Sequence, residues 1–283
     1  MKYPIGIQTF DKIIDGGYVY VDKTDLIYQL VQGNIYFLGR PRRFGKSLLV
    51  STLEQYFRGH KELFKGLAID KLETEWKQYP VFHIDFSTGN YLNDGVLEDV
   101  LSGNLTEWEA QYEVVRTSND LGLRFQKVLR AAHEKTGLGA VVLIDEYDKP
   151  ILDVIELDYQ VEHLGKMISL EEKHRNIMKS FYATFKGADA DLRFVFLTGV
   201  TKFSQISMFS GFNQPADISL SRNYEALCGI TKDELVKYFA GPIAEIAQIY
   251  HCTEEEMLQK LKMKYDGYHF SEKMVDVFNP FSL

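Results

Sequence analysis

Gly39-Arg40-Pro41-Arg42-Arg43-Phe44-Gly45-Lys46-Ser47 is the stretch on which the reading of this chain turns. A short apolar run, Ile35-Tyr36-Phe37-Leu38, precedes it, and a helical pattern follows it. After Gly45, the residues Leu48, Leu49, Thr52, Leu53, Tyr56 and Phe57 recur on one face of that helix. A strand that bends into a helix leaves the first helical N–H groups unpaired and the helix N-terminus partially positive. Gly45 lets the backbone approach an anion closely. Lys46 brings a cation on a long stem, and Ser47 brings a hydroxyl that can reach Mg²⁺. Arg42, Arg43, Phe44, Gly45, Lys46, Ser47 and Leu48 are therefore the candidate contacts of a polyphosphate.

The loop departs from the usual spacing G-x-x-x-x-G-K-[ST]. That pattern places a glycine where Arg40 stands, and Gly39 comes one residue early. Either the loop is one residue longer or Arg40 takes the glycine's place. Pro41 also removes one backbone donor. Arg42 and Arg43 either compensate with cationic contacts or face solvent. Arg40, Arg42, Arg43, Lys46, Arg58, Lys61 and Lys65 crowd one stretch against Glu54 and Glu62, which predicts a local basic patch suited to a compact anion.

Outward from the loop, three further segments read as strands. They are Val81 to Phe86, Val141-Val142-Leu143-Ile144 and Phe194-Val195-Phe196-Leu197. Apolar runs without alternation predict strands covered on both faces. Helical patterns over 121–133 and 168–185 separate them, so the fold class is α/β, a three-layer core on a mostly parallel sheet. The run at 141–144 ends in Asp145-Glu146, at the sheet edge where open α/β folds bind ligands. Asp145 is placed beside Ser47 to hold Mg²⁺, and Glu146 to activate an attacking water. Asp148 and Lys149 read as surface or helix-start residues ahead of Pro150. The run at 194–197 ends in Thr198, the first choice for sensing a terminal phosphate, with Lys202 second.

From about residue 224 the chain changes character. Thr231 with Glu234 and Thr253 with Glu256 both match a capping box, and each opens a helical pattern with no strong β signal between them. Two units are expected: a core over 1–223 and a small helical, lid-like subdomain over 224–283.

Composition excludes several classes. Of 283 residues, 45% are apolar and 13% aromatic, which rules out a disordered chain. The longest apolar run, Ala140 to Ile144, is far short of a membrane span. The N-terminus lacks the apolar core of a signal peptide. Cys228 and Cys252 cannot form a disulfide framework or a four-ligand zinc site, so free thiols in a cytoplasmic protein are expected. The net charge of −8 argues against direct nucleic-acid binding by this chain alone.

Together these residues resemble the bacterial AAA-ATPase-like family. The run Arg40 to Ser47 is similar to that family's variant Walker A, in which arginine at the first-glycine position is usual. Further matches are Tyr20 to Thr24, Leu143 to Asp148, Leu197 to Ser204, Tyr265 to Tyr268 and Asn279 to Ser282. The resemblance implies a P-loop NTPase core of the class with an added strand between the Walker strands, and 81–86 lies between the two motifs. It implies Mg-ATP as ligand, with Lys46, Glu146 and Thr198 at the chemistry and Ser47 and Asp145 on the metal. The implied role is an ATP-hydrolysing regulatory module that acts on an attached or partner domain. A catalytically weak switch is the alternative. Tyr20 to Thr24 resembles the part that lies near the adenine. Members often continue into a PD-(D/E)XK nuclease-like domain, so the expectation is that Leu283 ends one module of a longer protein. Homo-oligomers are a further expectation, with the arginine that rings supply in trans assigned to neither Arg193 nor Arg222.

Asp158 with Glu171-Glu172-Lys173 superficially matches a nuclease pattern, but that chemistry needs its E-x-K on a strand, and here the run opens a helix. Phe203, Phe209 and Phe212 read as core or loop anchors rather than a partner surface.

Overall fold

The computed structural model describes residues 2–201, 215–265 and 268–280. Five parallel strands form the central sheet: β1 (Ile35–Gly39), β2 (Val81–Asp85), β3 (Ala140–Asp145), β6 (Leu192–Gly199) and β7 (Ala216–Asp217). Their spatial order is β2-β3-β6-β1-β7. The strand inserted between the two motif-bearing strands is therefore β6, pairing Ile35 with Val195 on one side and Ile144 with Leu197 on the other. Strand β2 precedes β3 in sequence but occupies the sheet edge, with Asp85 in register with Asp145.

The unbroken apolar runs are explained by the two layers of helices. One layer is α4 (Val96–Gln111), α5 (Leu121–Thr136) and α7 (Leu170–Gly187). It packs on Phe82, Ile84, Val142, Ile144, Val195 and Leu197. The other contains α1 (Phe10–Asp15), α2 (Thr24–Leu30) and α3 (Lys46–Phe57), and covers Leu38, Val141, Leu143, Phe194 and Phe196. Alternate residues of β3 thus enter opposite cores, and all six of its residues are buried.

After α6 (Lys149–Leu152), the expected helix over 168–185 starts two residues late. Gln160–His163 and Lys166–Ser169 form an antiparallel hairpin, β4 and β5, instead. Leu164 and Gly165, both at positive φ, make its turn. Ser169 then caps α7 by accepting from Glu172 N at 3.1 Å. The Glu171-Glu172-Lys173 run lies in the first turn of that helix, as expected.

Beyond 224, helices Lys232–Ile249 and Glu254–Tyr265 form, and both capping boxes close. A short β8–β9 pair, Ile230↔Phe278 and Thr231↔Val277, was not foreseen. Ile230, Leu235, Ile243, Ala247, Met257 and Phe278 build a small core of their own. Leu227, Cys228, Phe270 and Val277 instead join the core beneath α3. Both cysteines are free. No helix among the described residues is long and apolar enough to cross a membrane.

Candidate functional site

The loop between β1 and α3 is anchored at its base and open at its crest. Phe44 is fully buried, edge-on to Tyr268 and Phe270, and its carbonyl accepts from Gly229 N at 3.0 Å. Gly45 has φ +89°, the left-handed region, and a Cβ there would meet nothing within 4 Å. Successive N–H groups in such a bend turn to one side and make an anion-binding concavity. Arg43 also has φ +64°, a conformation unusual for a residue with a side chain. Arg42 and Arg43 are exposed, Ser47 and Leu48 half-buried.

Lys46 points inward. It is only 5% exposed, and its Nζ donates to Arg40 O at 3.1 Å and Pro41 O at 3.0 Å. Burial pushes the Lys46 amine below its ordinary range, while the carboxylates of Asp145, Glu146 and Asp148 pull it back toward the charged form.

Arg40 does not belong to the expected basic patch. It is 1% exposed and runs away from the loop crest, donating to Gly39 O, Ser219 O, Tyr224 O and Glu225 O. Its guanidinium lies 3.9 Å from the Phe270 ring centroid. A guanidinium offers five donors in a planar fork, so one side chain ties together carbonyls from separate segments. With Arg40 and Lys46 inside and Arg58 paired to Glu54, the seven cations do not form one surface. Close spacing in sequence says nothing about which way each side chain points.

The acidic strand end meets the loop from β3. Asp145, also buried, accepts from Thr198 Oγ1 and from Glu146 N at 3.0 Å, both on Oδ1. Glu146 N also lies 3.4 Å from Thr198 Oγ1. Thr198 is completely buried, with its hydroxyl directed at Asp145. Glu146 has φ +52°. Burial raises its carboxyl above the usual range, Asp145 adds to the rise, and Lys46 opposes it. Asp85 adds a third carboxylate at the same edge, with Oδ1 accepting from Ser87 N at 2.7 Å.

These observations join a strand–loop–helix carrying Lys46, two carboxylates on a strand two places away, and the β6 end between them. Residues 4–209 match the family described as AAA-ATPase-like, a predicted AAA-ATPase. The chain belongs to the AAA-ATPase-like family. An uncharacterized protein encoded in the vnfD 5′ region of Azotobacter chroococcum mcd 1 is 38% identical over 284 residues, a match that covers 100% of this chain and 51% of that protein. The chain thus spans about half the length of the curated relative it matches. No solved structure matches it.

Two residues of this AAA-ATPase-like chain were misread or missed from sequence. Asp148, expected at the surface or at a helix start, stands at the N-terminal end of α6 as the second expectation has it, but is 1% exposed. Its Oδ2 accepts from Val200 N at 2.9 Å, Thr201 N at 2.8 Å and Thr201 Oγ1 at 2.8 Å. Asp85 was passed over, although it ends a strand in an acid as Asp145 does. Lys149 does start a helix, with Pro150 in its first turn.

The Tyr20 to Thr24 segment is held between α3 and the helix Lys232–Ile249. Tyr20 Oη lies 3.5 Å from Thr52 Oγ1, and Lys23 Nζ pairs with Glu234 at 2.7 Å. Arg193 binds Gly33 O and Val31 O, which commits it to holding the start of β1. Arg222 pairs with Glu272 at the surface. Lys202, Phe203, Phe209 and Phe212 lie outside the described residues.

Proposed function

We propose that this chain binds Mg-ATP and hydrolyses it, and that the result of hydrolysis is conformational. The observation that carries the reading is the buried Lys46 amine, held on its own loop carbonyls within the field of Asp145 and Glu146. An ammonium so placed is ready to exchange two carbonyl oxygens for phosphate oxygens. The amides from Arg42 to Leu48 would line the polyphosphate, with the Arg42 and Arg43 side chains beside it. Ser47 and Asp145 offer hard oxygen donors of the kind Mg²⁺ takes, and both hydrogen bonds of Asp145 fall on Oδ1, leaving Oδ2 for a cation. The ion would supply charge neutralisation across the phosphates.

Glu146 would take a proton from water as the water oxygen attacks the γ-phosphorus. The bond to the β–γ bridging oxygen breaks, giving ADP and phosphate. Thr198 would sense that event through Asp145. The movement would pass to a lid-like unit over 224–283, and from there to an attached or partner domain.

The test is Mg-dependent ATP hydrolysis by wild type, Lys46→Ala and Glu146→Gln. Both variants should fall by at least about 100-fold; three equal rates would sink the reading. A second reading, a switch that binds nucleotide without turning it over, is favoured by one feature: Lys46 is already satisfied by Arg40 O and Pro41 O, so binding must first break those bonds. Calorimetry showing tight Mg-ATP binding with no hydrolysis would select it.

A further inference from the structure

We infer that Asp148 is a positioning residue that holds Glu146 in its productive orientation by stapling the end of β3 to the end of β6. The inference rests on the Mg-ATP reading above and concerns a residue outside the loop, the metal ligands and the general base.

Glu146 occupies the left-handed region at φ +52°, a conformation that persists only where its surroundings impose it. The bonds that impose it come from both neighbours. On its N-terminal side, Asp145 accepts from Thr198 Oγ1, and Glu146 N reaches Asp145 Oδ1. On its C-terminal side, Tyr147 N donates to Thr198 O at 2.9 Å, and Tyr147 Oη donates to Thr201 O at 2.9 Å. Asp148 closes the arrangement by gathering three donors from Val200 and Thr201 on one carboxylate oxygen.

The approach is tight. A Cβ at Gly199 would lie 2.5 Å from Tyr147 Cε1 and 2.8 Å from Asp148 Oδ1, so only glycine lets the two strand ends come this close. A buried carboxylate facing three donors is held far more firmly than an amide would be, because hydrogen bonds to an ion are roughly twice as strong. Removing that charge frees the 146–148 turn to relax toward an ordinary backbone. A general base displaced by about 1 Å loses on the order of 100-fold in rate.

The experiment compares wild type, Asp148→Asn, Thr201→Val and Asp148→Asn combined with Glu146→Gln. Steady-state ATP turnover is read beside the affinity for a non-hydrolysable ATP analogue with Mg²⁺. Asp148→Asn should lower kcat about 100-fold and leave analogue affinity within about twofold. Thr201→Val removes one donor of three and should lower kcat by about 3–10-fold. The combined variant should be no slower than Glu146→Gln alone, since the base is already gone. If Asp148→Asn fails to fold, Thr201→Val decides the matter by the same split between kcat and affinity. Unchanged kcat in the folded variants, or a loss that appears equally in analogue affinity, overturns the inference. A wild type without turnover overturns both it and the reading beneath it. Turnover that needs Glu146 but ignores Asp148 and Thr201 overturns the inference alone.

Discussion

Restoring glycine at the first position of the loop separates pattern from structure. By spacing alone, Arg40→Gly repairs a defect and should improve phosphate binding. The structure predicts damage. Arg40 donates to Ser219 O and, at 3.2 Å, to Tyr224 O, linking the loop base to the segment that follows β7. Hydrogen bonds from a charged donor contribute about 1.5 kcal/mol each at the low end of their range. The stack on Phe270 at 3.9 Å adds about 1 kcal/mol, and a glycine in place of a side chain costs about 1 kcal/mol in chain entropy. Relief from burying the guanidinium returns about 2 kcal/mol, a fraction of the penalty for an ion taken out of water. The net expectation is a loss of about 3 kcal/mol. Urea denaturation followed by far-UV dichroism measures it, and nucleotide-analogue titration below the transition shows whether affinity follows. Arg40→Lys should lose nearly as much, because an ammonium cannot span the carbonyls a fork spans. A glycine variant as stable as wild type that binds nucleotide more tightly would refute the reasoning.

Three other outcomes are expected. Arg124 and Glu109 form a buried bidentate pair at 2.7 and 2.8 Å, so Glu109→Gln should destabilise the chain by about 3 kcal/mol; a denaturation midpoint unmoved by the change would show the pair to be idle. His83 lies 3.1 Å from Glu54, and although its burial disfavours the charge, the bond and charge of Glu54 outweigh that and raise its pKa. Its contribution, of order 1 kcal/mol, is therefore full below about pH 6.5 and lost as pH rises through the higher folded value; the stability gap between wild type and His83→Gln should shrink from pH 6 to pH 8.5, and a constant gap contradicts the assignment. Thr231→Ala removes the cap on the helix Lys232–Ile249 and should cost about 1 kcal/mol, with faster amide exchange confined to that helix's first turn.

Much of the frame was legible because its causes are local. The apolar runs of β1, β3 and β6 predict strands buried on both faces, and two helical layers cover them. Thr231 and Thr253 announce their helices within four residues, and each cap closes. The bend from β1 into α3 is legible because an apolar run, Gly45 and a helical pattern are neighbours in the chain, and Gly45 takes the positive φ that such a bend needs. The hairpin at 160–169 was missed because Leu164-Gly165 turns only through backbone angles, while Ile168 continues an apparently helical pattern. The strand added between the two motif strands is β6 and not 81–86, since a place between two motifs in the chain is not a place between two strands in the sheet.

Periodicity, glycine freedom and capping act over a few residues, so the α/β class, the strand–bend–helix at 35–57 and the strand that ends in Asp145 can all be read from the chain. Which charges go inside is settled by the packing of distant segments. Arg40, which the chain shows as one of a run of cations, and Asp148, which it shows as a surface or helix-start residue, are both buried in the fold, one on carbonyls of 219–225 and the other on amides of 200–201. A buried charge is tolerable only where enough partners converge on it, and those partners come from segments some 50 to 185 residues away that no local pattern can announce.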